Sequence, residues 1–288
     1  MRYGSVGAFT EEGQGWPAHF PCAVIFVEDD CLLAETVDHH LALGFAQVLL
    51  LAPEEIQAPQ VADPARMITI TCDCRDRDGV PEALNRLIAA SPRPGWLYWG
   101  YNAEFLFYPF CESRTVGELL AFHAEERRSA MMACVVDLYA ADLTQAPDGV
   151  SRSAALFDGS GYYATGRFRD GVTLDRQVEI FGGLRRRFEE HVPWTRRRID
   201  RVALFQTARG VQMRPDLTLS DEEMNTLSCP WHNNLTAAVM SFRAAKALRS
   251  NPGSKRAIRD FRWSGSVPFN WSSRELLERG LMEPGQWF

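Results

Sequence analysis

The feature that most constrains this chain is an alternation, through its first third, of short apolar runs with helix-patterned segments. PCAVIFVEDD (21–30) is a β-rich run that ends in acids. CLLAETVDHHLALG (31–44) follows with Leu33, Val37 and Leu41 at helical spacing and Gly44 as a stop. FAQVLLLAP (45–53) is continuously apolar, the pattern of a strand covered on both faces. Residues 54–66 are polar and proline-bearing, hence a loop, and MITITCD (67–73) returns to β-branched alternation. PEALNRLIAA (81–90) reads as a helix with Pro81 at its first position, and WLYWG (96–100) as the next strand. Strands and helices alternating at this spacing predict βαβ units: an α/β fold with a mostly parallel central sheet between helices.

In such sheets ligands bind beyond the carboxyl ends of the strands. Two polar clusters fall there. One is Glu28-Asp29-Asp30; the other is Asn102 to Glu104, in the break within LYWGYNAEFLFYP (97–109). Further along, Thr115-Val-Gly-Glu118 forms a capping box. MMACVVDLYAADL (131–143) is a strand candidate, and 144–175 is expected to be irregular with short strands. VALFQTARGVQM (202–213) reads as a strand pair turning at Arg209-Gly210, and LTAAVMSFRAAKALR (235–249) as a helix. A second capping box, Ser272 to Glu275, precedes a last helix. The expected division is one α/β domain over 1–250 with a helical appendage over 251–288.

No apolar run reaches the roughly 18–20 residues of a membrane span, and the first residues carry no apolar signal core. The seven cysteines are scattered. Cys72-Asp73-Cys74 lacks the second pair that a structural zinc site uses, so reduced thiols in a cytoplasmic protein are the expectation. The net charge of −6 argues against a general nucleic-acid coat protein. Yet Arg185, Arg186, Arg187, Arg196, Arg197, Arg198 and Arg201 crowd one short segment. Their planar forks suit phosphate, while Glu189, Glu190 and Asp200 could make the same segment a balanced, solvated face.

Three stretches together resemble the family 2-like glycosyltransferases that carry a GT-A fold. VEDDCLLAETVDHHLALGFAQVLLLAP (27–53) looks like that family's first strand, acidic turn, helix ending in His-x-x-x-Gly (His40 and Gly44) and second strand. LYWGYNAEFLFYP resembles the strand bearing the aspartate-x-aspartate motif, and IFGGLRRRF (180–188) the Gly-Gly-x-Arg-x-Arg element. HNNLTAAVMSFRAAKAL (232–248) is a looser match to a Leu-His-Phe-Lys helix. The resemblance implies a GT-A-like, Rossmann-like α/β/α sandwich and transfer from a nucleotide-linked donor to a small-molecule or glycan acceptor.

The departures concern the metal. The family's aspartate pair coordinates a divalent cation through hard oxygen ligands, whereas this chain has Tyr101 and Ala103 at the matching positions. Glu28 replaces an asparagine, Ala52 or Pro53 an aspartate, and Ser241 and Arg243 a histidine and a lysine. The expectation is a transferase with no metal or other cofactor. Glu104 and Asp29 are its catalytic candidates; Glu28, Asp30, Tyr101, Asn102 and His232 would contact substrate, and Arg185, Arg186 and Arg187 phosphate. Two alternatives stay open: a repurposed scaffold that takes an RNA-linked donor, as in aminoacyl-tRNA-dependent transfer, and a non-catalytic relative. Each candidate also has a structural reading. Glu104 would pair with an arginine, His40 would be a core histidine, and His232 or Asn234 would cap a helix.

Overall fold

The computed structural model describes residues 1–12, 20–75, 79–91, 93–229 and 233–287. In chain order its strands and helices begin with β1 (Arg2–Tyr3), α1 (Val6–Glu12), β2 (Cys22–Phe26), α2 (Leu33–Ala42), β3 (Gln47–Ala52), β4 (Met67–Thr71), α3 (Gly79–Ala90) and β5 (Trp96–Tyr101). There follow β6 (Glu104–Phe107), α4 (Val116–Glu125), β7 (Ala130–Ala140), β8 (Ala155–Asp158), β9 (Tyr163–Arg169), β10 (Val172–Phe181) and α5 (Gly183–Arg187). The last are β11 (Asp200–Gln206), β12 (Ala237–Ser241), α6 (Arg243–Ser250), α7 (Pro252–Ala257), β13 (Ser266–Pro268) and α8 (Ser273–Glu278). The chain is an α/β protein with a mixed, mostly parallel sheet. Two compact units divide it: Met1–Phe105, Ser113–Met132 and Val202–Asn225 form the first, and Leu106–Glu112, Ala133–Arg201 and Thr226–Phe288 the second.

In the first unit the strands run β1-β4-β3-β2-β5-β11. Every ladder from β1 to β5 is parallel, and β11 closes the row antiparallel to β5. This is why β2, β3 and β5 read as unbroken apolar runs: each residue in them is buried. Trp99 donates its indole N–H to the Val202 carbonyl at 2.8 Å, which satisfies the one polar atom of that buried ring. Gly44 ends α2 at φ 97°, a conformation that carries little steric cost only for glycine.

His40, on the buried face of α2, is the core histidine of the structural reading. Its Nδ1 lies 2.7 Å from the Thr36 carbonyl, so that nitrogen carries the proton, and its ring packs 4.7 Å from Tyr98. Burial, and then the neighbouring His39, pushes its pKa down to about 3. His123 on α4 is held at about 4, again chiefly by burial. A histidine whose folded pKa is depressed contributes stability that is fully present above its unfolded value of about 6.5 and is lost as pH falls toward the folded one. Unfolding free energy is therefore expected to fall below about pH 6.5, by up to roughly 1.4 kcal/mol per pH unit for each group. Urea midpoints measured across that range should show a shallower slope in His40→Phe than in the parent.

In the second unit β12 runs parallel to β7, β8 antiparallel to β7, and β13 antiparallel to β8; β9 and β10 form a separate hairpin. That hairpin turns through Asp170 at φ 51° and Gly171 at φ 81°. A hydrophobic core of the second unit is built from Tyr139, Leu156, Leu184, Ala245, Leu248 and Phe261. Residues 251–288 fall in this unit, with α7, β13 and α8.

Three local expectations are corrected. Residues 235–249 are not one helix: Ala237–Ser241 is a buried parallel strand, and the helix starts only at Arg243. Apolar positions spaced for a helix fit a short, fully buried strand equally well, and pairing with β7 decides for the strand. Asn234 consequently leads into a strand and caps no helix. Residues 202–213 give one strand, not two. The Asn85 side chain exchanges two hydrogen bonds with the Met213 backbone (2.7 and 2.9 Å), occupying the groups that a returning strand would use. The capping box at Thr115 forms with both reciprocal bonds, but Ser272 makes no side-chain cap; Glu275 accepts instead from the Asn270 N–H at 3.1 Å.

Candidate functional site

β2 and β5 are adjacent and parallel, with Phe26 opposite Tyr101, so the segments that follow them emerge side by side. Asn102 joins these segments. Its amide oxygen accepts the Glu28 N–H at 2.9 Å, and its amide nitrogen donates to Asp29 Oδ1 at 2.6 Å and to the Cys31 carbonyl at 3.0 Å. Asp29 Oδ1 also accepts the Cys31 N–H at 3.1 Å. Asn102 is fully buried, so one side chain fixes the whole acidic turn from beneath.

The turn between β5 and β6 is equally constrained. Glu104 accepts the Tyr101 N–H at 3.0 Å. Ala103 stands at φ 59°, a left-handed value unusual for a residue with a Cβ, and donates its N–H to Thr36 Oγ1 at 2.9 Å. The Thr36 hydroxyl in turn donates to the carbonyl of Leu32 at 2.7 Å, and Leu32 is itself left-handed at φ 50°. Two strained residues on neighbouring segments thus share one threonine. Such outliers persist only where the surroundings over-determine them, and they concentrate at functional sites.

Six of the expected site residues therefore gather in the first unit, with distinct accessibilities. Asp30 is exposed, Glu28 and Asp29 are half-buried, and Tyr101 is buried against Phe26 and Trp99. Glu104 has 0% exposure. In this conformation the Glu104 carboxylate is buried against the backbone of its own turn and presents no surface to solvent. Positions 101 and 103 offer a phenol and a methyl group, and Asn102 spends its amide on the turn. His232 lies outside the described residues.

The arginines belong to the second unit and are mostly engaged. Arg185 pairs through Nε with Asp137 at 3.1 Å, and its Nη1 donates to the Arg198 carbonyl at 3.0 Å. Arg187 grips Asp158 through Nε at 2.8 Å and Nη2 at 3.1 Å, and donates to the Phe261 carbonyl at 2.8 Å. Arg198 pairs with Glu179 and Asp200, and Arg167 with Asp200. Arg186 alone of the triplet is well exposed, against Glu189 at 2.8 Å. Asp137 and Asp158, the anchors of Arg185 and Arg187, escaped the sequence reading. Their signal was present: a lone acid inside each of the apolar runs MMACVVDLYA and AALFD requires a buried partner.

Compared with known proteins, the chain matches no family model and no curated sequence.

Proposed function

We propose that this chain is a transferase on a GT-A-like scaffold, related in mechanism to the glycosyltransferases its sequence resembles, which takes a nucleotide-linked donor without an aspartate-held metal. The observation that carries the reading is the preorganised Asp29. It stands at the carboxyl end of a parallel strand, where α/β sheets bind ligands, and a buried amide holds one of its oxygens. In this role Asp29 accepts the proton of an acceptor hydroxyl as the new bond forms and the diphosphate departs. Glu28 and Asp30 contact hydroxyl groups of donor or acceptor, while Asn102, Thr36 and Glu104 position the turn. The RNA-linked alternative draws less support, because Arg185 and Arg187 are committed to buried aspartates.

The test is a thermal-shift panel of nucleoside diphosphates and nucleotide sugars, with and without manganese, beside bulk tRNA at two salt concentrations. A ligand that binds the folded state raises the melting temperature by mass action. One nucleotide is expected to do so without manganese. Asp29→Asn keeps the acceptor for Asn102, so it should retain that shift while turnover with the matching donor falls by about 100-fold or more. Unchanged turnover in Asp29→Asn removes the assigned base. A shift from tRNA alone that fades with salt moves the reading to an RNA-linked donor, and silence from every ligand moves it to a non-catalytic protein.

A further inference from the structure

The acidic turn does not exhaust the chemistry at the carboxyl ends of the first unit's strands. The chain leaves β4 through Cys72-Asp73-Cys74, and both flanks of this tripeptide are held. The Cys72 N–H donates to the Ala52 carbonyl at 2.9 Å, which keeps it in register with β3. The Asp73 carboxylate receives the Arg75 backbone N–H, Nε and Nη2 at 3.2, 2.8 and 2.6 Å. Beyond it the first residue of α3 closes on Cys74: a Cβ on Gly79 would stand 3.0 Å from the Cys74 Cα. Cys74 is buried, whereas Cys72 is partly open to solvent.

We infer that Cys72 and Cys74 form a redox-active dithiol, with Cys72 as attacking sulfur and Cys74 as resolving sulfur, that reacts with small-molecule disulfides. Residues two apart in extended chain turn their side chains to the same side, and here the intervening Asp73 is exposed while Cys74 is buried and Cys72 partly open. Cys72 is therefore the sulfur that a disulfide in solution can reach, and its neighbour Cys74 lowers its pKa. Cys22, Cys111 and Cys134 move the other way, all pushed up chiefly by burial. The amino-terminal end of the twelve-residue α3 stands beside Cys74, where its positive field helps Cys74 give up its proton in the resolving step. A metal is the weaker reading of the same motif: no group of three or more His, Cys, Asp or Glu side chains suited to a metal occurs among the described residues.

The chemistry balances with the disulfide as oxidant. The Cys72 thiolate attacks one sulfur of R–S–S–R, forming Cys72–S–S–R and releasing RS⁻. Cys74 then loses its proton to that thiolate and attacks the Cys72 sulfur, forming Cys72–S–S–Cys74 and releasing a second RS⁻, which takes a proton from solvent. The chain gives up two electrons, and the disulfide becomes two thiols. An extended pair of residues spans close to the longest Cα separation a disulfide bridges, so the closed form is strained and readily reduced again.

Seven cysteines are present, so the test must locate the bond. The full chain is incubated with glutathione disulfide, and separately with a monosubstituted trivalent arsenical, then quenched in acid, digested and mapped by mass spectrometry. The expected peptide contains Cys72 and Cys74, is two hydrogens lighter, carries no glutathione and reverts with a mild thiol; the arsenical bridges the same two sulfurs. Cys74→Ser should accumulate glutathione on Cys72, and Cys72→Ser none on Cys74. A stable glutathione adduct on Cys72 in the parent chain, or an arsenical that bridges any other pair, overturns the assignment. Mapping of the parent chain decides it even where a serine variant fails to fold. The transferase reading stands or falls separately.

Discussion

Asp158→Ala is expected to destabilise the second unit by about 3–5 kcal/mol, the range for breaking a buried charge pair from one side. The carboxylate is almost wholly buried and serves several donors: Arg187, the Tyr139 hydroxyl at 2.6 Å and the Trp263 indole N–H at 2.8 Å. Removing it strands a guanidinium enclosed by the rings of Tyr139, Phe188 and Trp263, each 5.2–5.4 Å from its centre. Asp158→Asn should lose less, because one acceptor oxygen remains. Arg187→Ala should lose stability as well, and the double variant should lose much less than the sum, since each single change leaves the other group unpaired. Arg186→Ala, at an exposed pair, should stay within about 0.5 kcal/mol of the parent. Urea midpoints for these variants separate a structural Arg187 from a ligand-binding one. A fully stable Arg187→Ala that has lost nucleotide affinity would refute the structural assignment.

That contrast also shows where the sequence was legible. Parallel strands of the first unit announce themselves because burial on both faces demands unbroken apolar runs: β2, β3 and β5 fall where those runs lie, and β4 where the β-branched alternation does. The acid-bearing ends of β2 and β5 could be brought together from topology alone. What spacing does not encode is partnership. Arg185 and Arg187 look alike on the page whether they face phosphate or aspartate, and the choice is made by Asp137 and Asp158, tens of residues away. Glu104 looked reactive because a lone acid beside an apolar strand is conspicuous. Its burial and its bond to Tyr101 depend on the left-handed turn at Ala103, a conformation that no alanine advertises. Thr36 was invisible for the same reason, since its hydroxyl matters only once Leu32 and Ala103 adopt positive φ.

The acidic turn itself should prove as sensitive as the buried ion pair. Asn102→Ala removes the acceptor for Glu28 N–H and the donor to Asp29 and Cys31, at a position with no exposure, so a loss of about 3 kcal/mol is expected. Asn102→Asp is the more informative change. It keeps an oxygen for the Glu28 N–H but sets a second carboxylate where an amide N–H stood 2.6 Å from Asp29. Two anions that close cannot both ionise cheaply, so the pair retains a proton and one folded pKa rises above the unfolded value of about 3.9. An acid with a raised folded pKa loses stability as pH rises through that pKa. The deficit of Asn102→Asp relative to the parent should therefore be small near about pH 4 and grow toward neutrality, the reverse of the histidine effect that both proteins share. Urea midpoints for the two proteins at each pH isolate the difference. A deficit that does not change with pH would mean that residue 102 does not face Asp29 in solution, and with it would go the preorganised carboxylate on which the proposed transfer depends.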